Sequence, residues 1–381
     1  MDSSGKLHPL ANVASPSRVD ARKLAITPDS QWLFSVTGSE IDYQPGDGSV
    51  FDQSIASTGQ PGSPQQELLG GSTFGSGPAG LKTVLADDDN RAVYTLSPQY
   101  RVAPIAQDTG CSPVRQDLKA YSIGAQGSLQ QTGSMYAVDS ANCPYAGEGP
   151  VAVLVGINSD GTHKYLWYSV TQWGRGTAYP YLVSVQLNAD GSFGSGSSQY
   201  LDKTQAAYGT AMSNFVVLSE LQDRMRISPD TITTFRTGGG KATLASQCAT
   251  TVPACHHAIA LISSHDGKFL YTISQPNASE WSVNSLLLDQ TTGALMPVGS
   301  SVSLPQSAFP WEVSDPGDGP SPMPIALDAS GRRLFVLRAG DAKISTIPVD
   351  PATGALGAPV DSDTGAQPSS RNTGAIITAT K

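Results

Sequence analysis

Apolar and polar residues alternate along this chain in short runs, and the runs repeat. An apolar strand, a polar turn and a second apolar strand carrying an aromatic recur as AITPDSQWLFSV from Ala25, VLADDDNRAVYTL from Val84 and VGINSDGTHKYLWYSV from Val155. The same element returns as ALISSHDGKFLYTI from Ala260 and IALDASGRRLFVL from Ile325. Alternation over so few residues predicts half-buried strands rather than helices. The Asp-Gly or Ser-Gly at the turn has a mechanical role, because tight hairpins need the positive φ that Gly, Asn and Asp tolerate.

A second element follows in several repeats. SVNSLLLDQTTGALMPVGSSV from Ser282 and KISTIPVDPATGALGAPVDSD from Lys343 are nearly superimposable, with looser copies at DLKAYSIGAQGSLQQTGSM from Asp117 and YLVSVQLNADGSFGSGSSQ from Tyr181. Each gives a strand, a turn at T-G or D-G, and an outer strand. Together the two elements predict a four-stranded antiparallel unit repeating every ~50–60 residues, which is one propeller blade. Inner strands are expected near 22–27, 81–86, 150–156, 213–219, 257–262, 323–328 and 374–379. The fourth is placed by spacing alone, since Gly161 and Gly267 are far enough apart to hold two units. The fold class expected is all-β: one seven-bladed β-propeller domain spanning 1–381.

The two ends of the chain carry complementary halves of a repeat. GKLHPLANV from Gly5 resembles an outer-strand tail, and GAIITATK at the C-terminus resembles an inner strand. Pairing the N- and C-terminal strands in one blade would close the ring and remove exposed edges. Departures from the repeat at 38–80, 101–116, 137–149 and 305–321 predict long loops, the usual carriers of specificity on a rigid scaffold.

Composition sharpens this picture. Hydrophobic residues make up 39% of the 381 and charged residues only 14%, with 39 Gly and 27 Pro, a balance suited to many short strands and turns. The net charge of −9 is spread without basic clusters, which argues against a nucleic-acid partner. The longest apolar runs, such as Val151–Ile157, are far too short to span a bilayer. MDSSGKLHPL has no signal-peptide pattern and reads as a start from which a leader is missing. A periplasmic or secreted monomer is expected. Cys111, Cys143, Cys248 and Cys255 match no zinc or redox motif. Proximity favours two local disulfides, Cys111–Cys143 and Cys248–Cys255. The alternative is four reduced thiols in a cytosolic protein.

The strand pair h-x-h-x-x-D-G-K/R-h-h-Y/F followed by h-x-h-D-x-x-T-G-x-L, clearest at 256–304 and 322–363, resembles the lactonase-type propellers. That family includes 6-phosphogluconolactonase-like proteins and is related to YVTN-repeat propellers. The resemblance implies a pocket at one mouth of the central channel that works without an obligatory metal or other cofactor. CHHAIALISSHDGKFLY from Cys255 is similar to the family's His-rich segment before an inner strand, which brings His256 and His257 forward as catalytic candidates. The segments before other inner strands, SPSRVDARKLAI, EGPVAVLVGI and PSPMPIALDA, carry no second His.

Lactone opening needs an activated water, a group to stabilise the oxyanion and a proton for the leaving alkoxide. Imidazole titrates near neutral pH and suits the proton transfers. Arg18 and Arg371 fall just before inner strands and are candidates for binding a substrate carboxylate or phosphate. Glu148, before Val151, is a candidate partner for a His or Arg. Each of these residues also has an ordinary reading as a solvated loop side chain.

Other features point elsewhere or to structure. GGGKAT at Gly238 lacks P-loop spacing, and no G-x-S-x-G elbow is present. Asp87-Asp88-Asp89 reads as a blade turn, and the segment at Asp315 as a loop. Trp167, Trp173, Tyr179 and Tyr181 suit packing between blades or stacking on a flat ligand. Asn277-Ala278-Ser279 is a glycosylation sequon. The function classes that remain are a lactonase-like hydrolase of a small cyclic ester, an exported non-catalytic propeller binding a small ligand or protein, and an isomerising or lyase relative.

Overall fold

The predicted strand pairs form, and they assemble into blades. A computed structural model describes residues 1–3, 5–8, 21–37, 50–67, 83–99, 115–139, 151–174, 177–201, 206–220, 231–248, 251–277, 280–309 and 324–365. Blade one consists of β1 (Ala21–Ile26), β2 (Trp32–Thr37), β3 (Val50–Ser54) and β4 (Gln65–Glu67). Blade two holds β5 (Thr83–Ala86), β6 (Ala92–Gln99), β7 (Arg115–Ile123) and β8 (Leu129–Asp139). Blade three holds β9 (Val151–Ser159), β10 (Lys164–Gly174), β11 (Thr177–Leu187) and β12 (Phe193–Tyr200). Blade four holds β13 (Ala206–Met212), β14 (Phe215–Glu220), β15 (Ile232–Gly238) and β16 (Lys241–Gln247). In blade five, β17 (Ala258–Ser263), β18 (Phe269–Asn277) and β19 (Glu280–Leu288) are followed by a split outer strand, β20 (Leu295–Pro297) and β21 (Val302–Leu304), both paired to β19. Blade six holds β22 (Ile325–Leu327), β23 (Arg333–Arg338), β24 (Lys343–Pro348) and β25 (Val360–Asp363). All pairings are antiparallel, and each inner strand contacts the next, from β1 through β5, β9, β13 and β17 to β22.

Among the described residues the blades number six, against the seven expected from the sequence. The expected inner strand at 213–219 straddles a turn. Its C-terminal part is the second strand β14, and the true inner strand is β13, joined to it through Ser213 and Asn214. Ser213 itself takes the positive φ, 50°, so the Asp-Gly signature that marks other blades is missing there. The expected strand at 374–379 lies outside the described residues. The loop expected over 38–80 contains β3 and β4, whose alternation is masked by Gly, Ser, Gln and Pro around the turn at Gly59, φ 83°. Similarly, β7 begins at Arg115 and β8 runs to Asp139, inside two other expected loops. Of the N-terminal tail, residues 5–8 are described. Gly5 lies near Thr346 and Val360, and the Leu7 N–H donates to Ser362 Oγ at 2.8 Å, so this segment rests on blade six. Pairing of the two terminal strands falls on residues outside those described.

The core lies between blades. One cluster joins blades four, five and six around Phe215, Tyr271, Trp281 and Leu334, and others join blades two and three, three and four, and one and two. Trp167 is buried in such an interface, where its indole N–H donates to Asn158 Oδ1 at 2.7 Å, so its role there is packing. The Gly238–Gly240 run is the β15–β16 hairpin turn, with φ of 58° and 72° at Gly239 and Gly240. Asp87 and Asp89 form a turn whose carboxylates both meet Lys164 of blade three, at 3.3 and 2.6 Å.

Candidate functional site

The connections divide between two faces. The turns from the first to the second strand of a blade, and from the third to the fourth, lie on one face. The strand ends that bound 38–49, 68–82, 100–114, 140–150, 221–230 and 310–323 lie on the opposite face. His256 and His257 precede β17 and therefore belong to this long-connection face.

A short 3-10 turn, Pro253–Cys255, delivers the chain to them. Proline opens the turn with its fixed φ, where a missing N–H leaves nothing unsatisfied. Cys248, just past the end of β16, is disulfide-bonded to Cys255, with Cα atoms 6.1 Å apart. Cys255 is fully buried, so the turn is clamped from the core side. From below, Thr272 Oγ1 donates to the Ala254 carbonyl at 3.1 Å and Ser274 Oγ to the Pro253 carbonyl at 3.2 Å. The expected Cys248–Cys255 pair is therefore present. Cys111 and Cys143 lie outside the described residues.

Both histidines are half-buried. His256 Nδ1 is 3.0 Å from the backbone carbonyl of Gln275 on β18. A carbonyl only accepts, so Nδ1 carries the proton and a neutral ring presents its lone pair at Nε2. His257 has φ 49°, a left-handed conformation uncommon for a residue with a side chain. Its carbonyl accepts from the Gln275 N–H at 3.3 Å. Its ring centroid is 6.2 Å from that of Trp281, which meets Phe309 edge-on at 5.2 Å. The two neighbours thus sit differently: one ring is fixed through a nitrogen, the other is set beside the aromatic packing of its blade.

Arg18, Arg371 and Glu148 lie outside the described residues, so their relation to the histidines stays an inference from the repeat. Nor are the loop at Asp315 and residues 278–279 of the sequon described. The residues that sequence reasoning missed are Gln275, Thr272, Ser274, Ser282 and Asn284. Four of them, all but Gln275, alternate with apolar residues along β18 and β19, a pattern whose meaning depends on the pairing of those strands. Among the described residues, no group of three or more His, Cys, Asp or Glu is placed to hold a metal ion.

Comparison with solved structures places this architecture among propellers. A 6-phosphogluconolactonase candidate from Bacteroides fragilis NCTC 9343 superimposes with a TM-score of 0.56 at 17% identity, over 93% of this chain and 86% of that one. One from Bacteroides uniformis ATCC 8492 gives 0.56 at 13% identity, over 93% and 89%. A Lactobacillus plantarum protein gives 0.56 at 14% identity, over 93% and 87%. At such identities the likeness is one of fold. No protein-family model and no curated protein matches the sequence.

Proposed function

We propose that this chain is a lactonase-like hydrolase of a small cyclic ester, working on the long-connection face with His256 as its proton-transfer group. The observation that carries the reading is the Nδ1 contact of His256 with the Gln275 carbonyl, which fixes the ring and leaves Nε2 as the basic atom. In the reaction, Nε2 takes a proton from water as the hydroxyl oxygen attacks the lactone carbonyl. The imidazolium then returns that proton to the ring oxygen as the acyl C–O bond breaks, giving a hydroxy acid. Arg18 and Arg371 are proposed to hold a substrate anion or the developing oxyanion, and Glu148 to orient one of them. His257 shapes the wall beside His256. The fold shared with two lactonase candidates supports the reaction class. The Cys248–Cys255 disulfide is compatible with a periplasmic or secreted location.

A second reading, an exported non-catalytic propeller that binds a small ligand or protein, is favoured by the position of His257 beside Trp281. A ring tied into aromatic packing suits a surface that shapes a binding site more than one that moves protons. Hydrolysis of a panel of lactones, followed by acid release, separates the two. His256→Ala should lower turnover by roughly 10²–10⁴, the range of a general acid–base group, in a protein that still folds. Absence of any wild-type rate, or a rate that survives both His256→Ala and His257→Ala, overturns the hydrolase reading and leaves the binding one.

A further inference from the structure

Blade five buries an uncharged polar cluster on its two middle strands. On the paired strands β18 and β19, Thr272 lies directly opposite Asn284 and Ser274 opposite Ser282. All four are buried, with Thr272 and Ser274 at 0% exposure. Such a cluster is unfavourable against an apolar core unless its hydrogen bonds are used. They are used, and in an ordered direction.

Ser282 Oγ donates to Asn284 Oδ1 at 3.3 Å, which orients the amide so that Nδ2 faces the other two hydroxyls. Nδ2 is 2.8 Å from Ser274 Oγ and 3.3 Å from Thr272 Oγ1, and lies 3.2 Å from both the backbone oxygen and Oγ of Ser282. A hydroxyl owns a single proton. When Asn284 donates into the Thr272 and Ser274 oxygens, their protons are left for the carbonyls of Ala254 and Pro253, with Ser282 Oγ, 3.1 Å away, a second acceptor for that of Ser274. The Pro253 carbonyl also accepts the His256 N–H, at 3.2 Å.

We infer that Asn284 is a positioning residue for His256, acting through Ser274 and Thr272 on the 3-10 turn. The inference rests on the proposed role of His256, but the positioning itself is read on the imidazole without any substrate. Asn284 touches no reacting atom. It fixes the direction of two hydroxyl protons, these fix the two carbonyls of the turn, and the turn sets where the His256 ring meets Gln275.

The test uses the full chain, with ¹⁵N-labelled histidine assigned through a His256→Gln variant. Asn284→Leu removes the amide at similar volume, and Ser274→Ala removes one link. Thr234→Val serves as control, because Thr234 is a buried hydroxyl of blade four that donates to the Gly293 carbonyl at 2.7 Å, away from the turn. In the wild type, neutral His256 should hold a single Nδ1–H tautomer. Asn284→Leu and Ser274→Ala should each shift it toward a mixture, and their combination should add little beyond the larger single effect. With an active lactone, kcat should fall about tenfold while KM stays within about twofold, as expected of misplacement rather than lost binding. The control should leave tautomer and kcat unchanged. A folded Asn284→Leu whose His256 tautomer and titration match the wild type overturns the inference. If that variant does not fold, the same result in Ser274→Ala overturns it. An inactive wild type defeats the hydrolase reading, while the tautomer still decides the positioning.

Discussion

Lys164 joins two blades through a carboxylate that water barely reaches. Asp87 is 4% exposed, and burial raises its pKa above the usual 3.8, an effect that attraction and a hydrogen bond from Lys164 offset in part. Asp89, on the surface of the same turn, is held below its usual value, chiefly by its hydrogen bond from Lys164. The signs of the two linkages are opposite. A carboxyl raised on folding opposes the native state at neutral pH, and that penalty fades as pH falls through its folded pKa. A lowered one contributes above its unfolded pKa and loses that contribution as pH falls. Lys164→Met leaves Asp87 buried without its cation. The expected loss at pH 7 is about 1–2 kcal/mol, kept modest because the lysine side chain is 34% exposed. Because the stranded Asp87 takes up a proton more readily, the loss should shrink toward pH 4.5. Urea unfolding at the two pH values measures this, and a loss that does not shrink would show that Asp87 is not the group responsible.

At the scale of elements, the strand pairs with an Asp-Gly or Thr-Gly turn were legible because turn chemistry and alternation agree. Blades five and six follow the sequence pattern closely for that reason. Blade four did not announce itself, since the β13–β14 turn takes positive φ at Ser213, with no Gly to mark it. The first two strands of blade one were legible, but its third and fourth were hidden by composition, lying in a stretch rich in Gly, Ser, Gln and Pro. The histidine segment was legible as a candidate, but its support was not. Thr272, Ser274 and Asn284 become meaningful only when β18 and β19 pair beneath the 3-10 turn. The Cys248–Cys255 bond belongs to this scale too. Its loop is small, so the chain-entropy estimate gives about 2.5 kcal/mol. Spread over the unfolding entropy of a chain this long, that is a Tm change of about 3 °C. Replacing both cysteines by Ser should therefore lower Tm by only about that much and leave the circular dichroism unchanged. A loss of more than about 10 °C would mean that the disulfide holds the ring together and not just the loop.

Across the whole molecule, the face opposite the histidines is laced by one recurring contact that the repeat's consensus did not reveal. In blades two to six the glycine of the outer hairpin lies against the start of the second strand of the preceding blade. Built Cβ atoms would fall 2.2 Å from Trp32 at Gly127, 2.7 Å from Ala92 at Gly191, 2.9 Å from Tyr165 at Gly240, 2.9 Å from Phe215 at Gly293 and 2.4 Å from Phe269 at Gly354. Every one of these glycines also has positive φ. The sequence marks them as turn residues, and conformational freedom alone would explain them. The contacts add a second requirement, a missing side chain so that the next blade can close on the second strand of its neighbour, at a ring in four of the five. Hydrogen bonds between turns run beside them, from Asp29 to Asn90, from Lys164 to Asp87 and from His265 to the Asp328 carbonyl. One face is thus tightly joined, which lets the other carry the variable connections. The two roles of the glycines can be separated. Gly161 has φ 90° but nothing within 4 Å of a built Cβ, so Gly161→Ala bears only the backbone penalty, about 1–2 kcal/mol. Gly354→Ala, at φ 73°, bears that penalty and must also displace the Phe269 ring between blades five and six, a further 1–3 kcal/mol or so. Denaturant midpoints of the two variants, measured side by side, should differ accordingly, with Gly354→Ala the less stable. Equal losses would show that the blade contact contributes nothing and that positive φ alone keeps glycine there.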